Sequence, residues 1–501
     1  MHSIRRLYTT AAGSPARQRG FGAAIGLELH VQLLAAQKLF SAASAKWDEP
    51  PNSNVHPVDA GLPGALPQLN PQCVKLAARA VLALNGQVQQ RSAFDRKHYF
   101  YPDQPLGYQI TQQRHPIGRG GFVQLGPTDG LQTTRQIRIQ QLQLEQDTAK
   151  SIHDVYPGHV LVDLNRAGVA LIEIVSEPDV ETAEEAALYV RKVQALLRNI
   201  GTSNCNMEEG SLRCDVNVSV HRQGDHRLSG TRCELKNLNS LKVIRAAINA
   251  EIARQIDAVS NGEQITQETR GFDSQSGMTY ATRSKEAAPD YRYMPEPDIP
   301  EIHIVEGWIK RAHSSLPETP DQALERVTAQ YGLSQEDVST MLGEPGCVAF
   351  FEEAARGRSA KQVAAWVTSE VFGQLSYRNQ RLSESPLAVQ QFTQILDALD
   401  GDLVTSGQAR QLLIVYMDGE KRSVADLIAA HGWQVISNTD KLRGIAEQLL
   451  DAHPKEVAGY LKGQTRRLNF FVGKLMQATK GQAKPQDASR VIKEQLEARR
   501  E

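Results

Sequence analysis

The spacing of apolar residues changes near residue 300, and this change divides the chain into two parts. Before it, short alternating segments typical of β-strands are separated by Gly and Pro turns. After it, apolar residues recur at helical spacing as far as the C-terminus. Several prolines punctuate the boundary: Pro295, Pro297, Pro300, Pro317 and Pro320. We therefore predict an α+β fold, with a β-rich domain followed by a helical region and a small helical tail domain.

Local patterns place individual elements within this outline. In 213–220 every second side chain is apolar, which predicts a strand, and 232–238 begins in the same way. A capping box at 182–185 predicts the start of a helix, and Gly201 suits its end. The glycines at 118–121 are interpreted as a hairpin turn. The predicted helices of the second part are 322–330, 359–372, 386–399, 406–416 and 440–450.

Composition excludes some classes of protein. The chain carries 56 Lys and Arg against 57 Asp and Glu, so RNA contacts must come from local basic patches. One such patch is the stretch 455–493, which holds nine Lys and Arg residues. The five cysteines form no CxxC pair, which argues for a reducing compartment and against a zinc site. No segment approaches the roughly 18 apolar residues that a membrane span requires.

The N-terminus has the composition of a mitochondrial transit peptide. Residues 1–27 contain no Asp or Glu but four arginines, among Ser, Thr, Ala and Gly. We predict that residues 1–20 are the transit peptide and that the protein lies in the mitochondrial matrix. The alternative is an unstructured tail of a cytosolic protein.

Three short segments carry carboxylates that could serve a metal ion. Alternation puts Glu28 and His30 on one face of a strand, where both could point at one ion. Glu145 and Asp147 share a face if their segment is extended, and close carboxylates favour a cation. Glu173 interrupts an apolar run and would need a cation or strong donors if it is buried. The alternatives are a solvated strand face, a polar turn and an outward-pointing side chain, respectively.

A second polar set lies further along the chain. Arg213 could hold a phosphate through two hydrogen bonds, and Asp215 and Asn217 could bind a metal or a nucleotide. Lys236 and Asn237 extend this set. Taken singly, each is more often an ordinary surface residue. The sequence has no Walker A, GxSxG, HExxH or kinase motif, so any ATP site must use an unusual scaffold.

These segments together resemble one family, the B subunits of tRNA-dependent amidotransferases. The resemblance covers roughly residues 24–498 and rests on long blocks in the family's order. The blocks are GLELHVQL, KLFS, LPGALPQLN, YFYPDQPLGYQI, LEQDTAKS, VDLNRAGVALIEIVSEPD, MEEGSLRCDVNVSV, ELKNLNS, ETRGFD and DYRYMPEPDIP. The C-terminal stretch from FVGKLM to GQAKP also resembles the tail of the family.

The resemblance implies a cradle-shaped, mainly antiparallel β catalytic domain over residues 21–312. A helical domain over 313–425 and a tRNA-binding tail domain over 426–501 follow. It implies an ATP- and Mg²⁺-dependent ligase, a glutaminyl-tRNA synthase that hydrolyses glutamine. The γ-carboxylate of glutamate on Glu-tRNA(Gln) is phosphorylated and then amidated. The ammonia comes from an amidase-signature A subunit, and a small C subunit or an equivalent links the two.

The resemblance also suggests a role for each candidate residue. The expected catalytic residues are Glu145, Glu173, Arg213, Asp215 and Lys236. The expected metal ligands are Glu28, His30, Glu145 and Glu173. The expected nucleotide-binding residues are Asp147, Glu209, Asn217 and Asn237.

The chain departs from the family in two places. Some members carry a four-cysteine zinc site after the first strand, but residues 40–43 and 55–59 contain no cysteine, so we predict no zinc. Gln146 stands where many members have a second Glu, which bears on the choice of Glu145. The alternative function is a catalytically silent tRNA-binding scaffold, although clustered carboxylates near RNA phosphate favour the enzyme subunit.

Overall fold

A computed structural model describes residues 20–153, 155–284, 290–433, 439–479 and 482–499. The chain divides into two compact units, with the division after Pro320. The predicted transit peptide lies outside the described residues, apart from Gly20. The limits predicted for the three domains stay predictions.

The first unit is built on a ten-stranded sheet in the order β15-β14-β13-β12-β1-β11-β8-β6-β2, with β7 also paired to β8. Its strands are β1 (Phe21–Gln32), β2 (Gln87–Val88), β6 (Gly118–Arg119), β7 (Phe122–Leu125), β8 (Arg135–Gln146), β11 (Ala170–Ser176), β12 (Leu212–Arg222), β13 (Cys233–Leu238), β14 (Glu268–Asp273) and β15 (Met278–Ser284). All neighbours pair antiparallel except β13 and β14.

Three small sheets complete the β-structure of the described part of this unit. Their strands are β3 (Arg91–Ser92), β4 (Asp95–His98), β5 (Tyr108–Thr111), β9 (Lys150–Ile152), β10 (Leu161–Asp163), β16 (Met294–Pro295) and β17 (Ile302–His303). The helices are α1 (Pro71–Ala83), α2 (Ala183–Asn199), α3 (Leu241–Ser260) and α4 (Glu306–Ser314). The predicted α+β class is confirmed.

Alternation along the central strands gives the large sheet one apolar face. In β12, Cys214, Val216 and Val218 are buried while the residues between them are partly exposed, as the sequence predicts. Helices α2 and α3 pack on the apolar side. Burying each such aliphatic side chain contributes about 1.5–3 kcal/mol. The polar face is thereby left free for chemistry.

Helix α2 begins where the capping box predicts. The Thr182 side chain accepts a hydrogen bond from the backbone N–H of Glu185, which satisfies one of the free N–H groups of the first turn. The Glu185 carboxylate returns to the N–H of Glu181. Gly201 has φ +66°, as a residue that ends a helix often does.

The hairpin predicted at 118–121 is wrong. Strands β6 and β7 do not pair with each other, because both pair with β8. Gly120 and Gly121, with φ +64° and +112°, form a break between two segments that follow the same neighbour.

The second unit is helical throughout its described residues. Its helices are α5 (Pro320–Tyr331), α6 (Gln335–Leu342), α7 (Cys347–Ala354), α8 (Ala360–Ala365), α9 (Phe372–Arg378), α10 (Val389–Asp400), α11 (Ser406–Met417), α12 (Val424–His431), α13 (Thr439–Ala452), α14 (Pro454–Leu461), α15 (Arg467–Ala478) and α16 (Pro485–Ala498). A π-helical segment, Trp366–Val371, joins α8 to α9. Each of the five predicted helices has a counterpart. Buried side chains form one core over 324–427 and another over 442–496. Among the described residues, no helix is both long and apolar enough to span a membrane.

Candidate active site

The candidate residues meet on the polar face of the large sheet, where β12, β1, β11 and β8 lie side by side. His30 in β1 lies opposite Glu173 in β11 and Arg213 in β12. Glu145 in β8 lies opposite Leu171, two residues before Glu173. Side chains two residues apart on a strand share a face. Four strands from separate parts of the sequence therefore contribute to one surface.

His30, Glu145 and Glu173 converge closely enough to share a ligand, and we call them the acidic triad. One donor atom from each lies within 4.8 Å of the others. His30 Nδ1 and Glu145 Oε1 are 2.8 Å apart and form an ion pair when the imidazole is protonated. Glu145 is buried, whereas His30 and Glu173 are half-buried. The amide of Gln143 donates a hydrogen bond to Glu173.

Burial and close charges shift the pKa values in the triad. Burial alone would lower the pKa of His30. The charge and hydrogen bond of Glu145, with smaller effects of Glu173 and Asp215, outweigh burial and raise the pKa to about 9. Burial and the neighbouring charge of Glu145 raise the pKa of Glu173, an effect that His30 and Lys97 oppose. Two carboxylates in so small a space thus carry negative charge that nearby cations only partly offset.

The donor set fits a divalent cation. Carboxylate oxygens are the ligands that Mg²⁺ and Mn²⁺ prefer, and an imidazole nitrogen can join them. A cation here would remove the repulsion between Glu145 and Glu173. The hydrogen bond between His30 and Glu145 would orient the carboxylate.

Glu28 is not part of the triad. It lies on the same face of β1, and its Oε1 accepts a hydrogen bond from the Asn217 side chain at 2.9 Å. Its charge nevertheless reaches Glu173 and raises the pKa of that group. A role for Glu28 as a metal ligand stays a prediction.

Four of the other predicted residues form two charged pairs beside the triad. Arg213 Nη2 donates to Asp147 Oδ1 at 2.9 Å. Lys236 Nζ lies 2.6 Å from Asp215 Oδ2 and 2.9 Å from Glu234 Oε1. Burial lowers the pKa of Lys236, but Asp215 and Glu234 raise it more, so the amine stays charged.

A cavity of about 1100 Å³ adjoins this face. The predicted residues Glu209, Arg213, Asp215 and Asn237 line it. Glu209 accepts hydrogen bonds from the side chains of Asn204 and Asn206. Asn237 has φ +62°, at the irregularity where β12 and β13 shift register, and its side chain is exposed.

Several residues of the site were not predicted from the sequence. Arg166, Lys150 and Trp47 line the cavity, and Trp47 is 57% exposed. Burial lowers the pKa of Lys97, but the nearby Tyr293, Glu145 and Glu173 together outweigh burial, so the pKa is raised. Arg166 and Trp47 lie outside the strands, where no periodicity marks a functional side chain. Trp47, a large apolar residue between the charged Lys46 and Asp48, was the available signal in the sequence.

The loop after β1, where some family members bind zinc, is organised around a buried ion pair. Lys38 Nζ is fully buried and donates to Asp59 Oδ2 at 3.0 Å and to the carbonyl of Asn54 at 2.8 Å. Asp59 also accepts from Ser41 Oγ and from the His56 N–H. An ammonium group in contact with the carboxylate of this loop would repel a second cation.

Comparisons with known proteins identify the family of the chain. Residues 23–310 match the GatB/GatE catalytic domain, and residues 349–496 match the GatB domain. The B subunit of the aspartyl/glutamyl-tRNA(Asn/Gln) amidotransferase of Granulibacter bethesdensis is 42% identical over 94% of this chain and 97% of its own length. The B subunit of the mitochondrial glutamyl-tRNA(Gln) amidotransferase of Naegleria gruberi is 39% identical over 99% of this chain and 98% of its own. The chain therefore belongs to the B-subunit family of the tRNA-dependent amidotransferases.

Proposed function

We propose that the chain uses ATP to activate the glutamate of Glu-tRNA(Gln), so that it can be amidated to Gln-tRNA(Gln). The main support is the convergence of His30, Glu145 and Glu173 beside a cavity lined by Arg213 and Asp215, in a member of this family. The names of its relatives identify them as subunits that act on Glu-tRNA(Gln) or on both Glu-tRNA(Gln) and Asp-tRNA(Asn).

The reaction has two balanced steps. An oxygen of the glutamate γ-carboxylate attacks the γ-phosphorus of ATP, and ADP leaves with the electrons of the broken P–O bond. Ammonia then attacks the γ-carbonyl carbon, inorganic phosphate leaves, and a proton is lost from nitrogen. The first step requires that donor and acceptor be held in line and that their negative charges be offset.

The residues of the chain suit these requirements. Arg213, anchored by Asp147, can hold phosphate oxygens through its remaining N–H groups. Lys236 brings a positive charge beside Asp215. Mg²⁺, if held by Glu145 and Glu173 with His30, would offset the negative charge of the phosphate groups. Asn237 and Glu209 line the cavity where the nucleotide would bind.

The remaining partners follow from the same proposal. An amidase-signature A subunit supplies ammonia from glutamine, and a small C subunit or an equivalent links it to this chain. The protein acts in the mitochondrial matrix, as the Arg-rich, acid-free N-terminus and the mitochondrial relative support.

The test is ADP formation by the reconstituted complex with Glu-tRNA(Gln). Glu145→Gln and Glu173→Gln should abolish ADP formation while Glu-tRNA(Gln) still binds, because the missing charge acts on phosphoryl transfer. A matched control is Glu234→Gln, which removes a carboxylate that contacts Lys236 outside the triad. Full transamidation by the triad variants would refute the proposal. If the wild-type complex forms no ADP, the alternative function, a silent tRNA-binding scaffold, is favoured.

A further inference from the structure

Arg166 is held in a fixed orientation on the wall of the cavity. It lies in the turn between β10 and β11 and lines the cavity with Arg213. Its Nε donates to the carbonyl of Thr148 at 2.9 Å, and its Nη2 donates to the carbonyl of Ala149 at 2.8 Å. Two hydrogen bonds to consecutive carbonyls fix the plane of the guanidinium group.

The third nitrogen of this group is unused. Nη1 of Arg166 has no hydrogen-bond partner among the described residues, and the side chain is 40% exposed. Nε lies 3.7 Å from Asp147 Oδ2. A guanidinium group with a fixed plane and free N–H groups is already arranged to accept an oxyanion, so little side-chain freedom is lost on binding.

The local balance of charge favours an anion at the same place. Asp147, whose side chain is 5% exposed, is shared between Arg166 and Arg213, so one negative charge faces two positive charges. Elsewhere the cavity lining also carries carboxylates, of which Asp215 contacts Lys236 and Glu49 contacts Lys46. The two guanidinium groups beside Asp147 therefore keep positive charge that this carboxylate does not neutralise.

We propose that Arg166 is a second phosphate-binding residue, which with Arg213 holds the phosphate groups of a nucleoside triphosphate. The inference rests on the proposed use of ATP and extends it to a residue outside the predicted site. A triphosphate is favoured over the RNA backbone because Arg213 lies directly opposite His30 in the sheet. Phosphates held by this pair would therefore lie next to the acidic triad.

The full-length chain offers a matched pair of variants for the test. Arg198 also donates through Nε and Nη2 to two consecutive backbone carbonyls, those of Asn204 and Cys205, but it does not line the cavity. Arg166→Gln and Arg198→Gln thus remove the same kind of structural contact, and only the first removes the free N–H groups of the wall. Arg166→Lys keeps the charge without the planar fork.

Dissociation constants are measured for ATP, inorganic tripolyphosphate, adenosine and Glu-tRNA(Gln), together with the unfolding temperature. Arg166→Gln should weaken the binding of ATP and of tripolyphosphate about 10- to 100-fold, which is the range for the loss of one or two charge-assisted hydrogen bonds. Arg166→Lys should recover part of that affinity. Adenosine should bind all variants equally, and Arg198→Gln should bind every ligand like the wild type.

Each other outcome has a defined meaning. If Arg166→Gln binds ATP and tripolyphosphate as tightly as the wild type does, the inference is wrong and the proposed function stands. If the variant loses affinity for adenosine and for ATP equally, Arg166 serves only to fold the protein. Weaker binding of Glu-tRNA(Gln) with unchanged ATP affinity would show that Arg166 contacts the RNA and not the nucleotide. If the wild-type chain binds neither ATP nor tripolyphosphate, the proposed function fails and the inference fails with it.

Discussion

Replacing Glu173 by Gln should stabilise the ion-free protein while abolishing its activity. The substitution keeps size and shape, and a Gln oxygen can still accept the hydrogen bond that Gln143 donates. It removes one of two carboxylates whose oxygens lie within 4.8 Å of each other. At this separation two ionised groups repel by about 3.5 kcal/mol for an effective dielectric constant of about 20. His30 and Lys97 offset part of this, so we expect a net gain of about 1–3 kcal/mol.

The measurement is thermal unfolding of the full chain in EDTA and in excess Mg²⁺. In EDTA the unfolding temperature of Glu173→Gln should exceed that of the wild type by about 2–6 °C. In Mg²⁺ the difference should shrink or reverse, because a cation that binds only the folded state stabilises the protein that keeps its ligand. ATP-dependent activation of Glu-tRNA(Gln) should be lost under both conditions.

Glu145→Gln is the matched control for this prediction. It removes the other carboxylate of the triad but also breaks the 2.8 Å contact with His30. We expect no gain in stability, since relief of repulsion and loss of the ion pair oppose each other. An unfolding temperature of Glu173→Gln at or below the wild-type value in EDTA would refute the reasoning. The acidic triad would then be an ordinary polar surface in which Glu145 and Glu173 do not repel each other measurably.

Three further predictions concern other parts of the chain. Lys38→Met leaves Asp59 charged and buried without its cation, so denaturant unfolding should show a loss of about 3–5 kcal/mol, and adding Asp59→Asn should recover part of it. An undiminished stability of the single variant would contradict this. Deleting the residues after about 430 should weaken tRNA binding and its dependence on salt, while the glutaminase activity of the partner persists; unchanged tRNA affinity would count against a role for the tail. N-terminal sequencing of the mature mitochondrial protein should show that about the first 20 residues are absent, whereas a cytosolic protein that begins at Met1 would contradict the prediction.

The basic residues of the tail differ in how freely they could contact RNA. Lys484 contacts Asp402 at 2.5 Å, and Arg490 contacts Asp487 at 2.9 Å. Lys474 lies over the ring of Phe470. Pairing with acids reduces the charge that a helix surface offers to phosphate. The contribution to tRNA binding should therefore differ between positions, although the sequence shows only nine similar cations.

Local elements could be predicted from the sequence because their causes are local. The alternation in β12 and the Thr182 cap of α2 depend on residues a few positions apart. The hairpin at 118–121 failed for the opposite reason. Its two flanking segments pair with β8, about 20 residues further on, and the glycine pattern contains no information about that partner.

In the candidate site, too, the sequence predicts local features but not the partners that other segments supply. Alternation assigns Glu28 and His30 to one face of a strand, but it cannot identify the strand on either side. The order β12-β1-β11-β8 joins residues separated by 115 positions in the case of His30 and Glu145. Arg166 could not be singled out, because its orientation comes from carbonyls of another segment, those of Thr148 and Ala149.

The distribution of partners across the polar face separates carboxylates that pair with a cationic side chain of the sheet from those that are less fully paired. Asp147 faces Arg213, and Asp215 faces Lys236, so each is neutralised by a side chain of the sheet. Glu145 and Glu173 share His30, and Glu173 accepts its hydrogen bond from the neutral amide of Gln143. Buried negative charge without a full counter-charge is costly, and a bound cation would compensate it. On this argument the proposed metal ligands are the carboxylates with the poorest protein partners, and Glu28, which accepts an amide hydrogen bond from Asn217, is the next candidate after the triad.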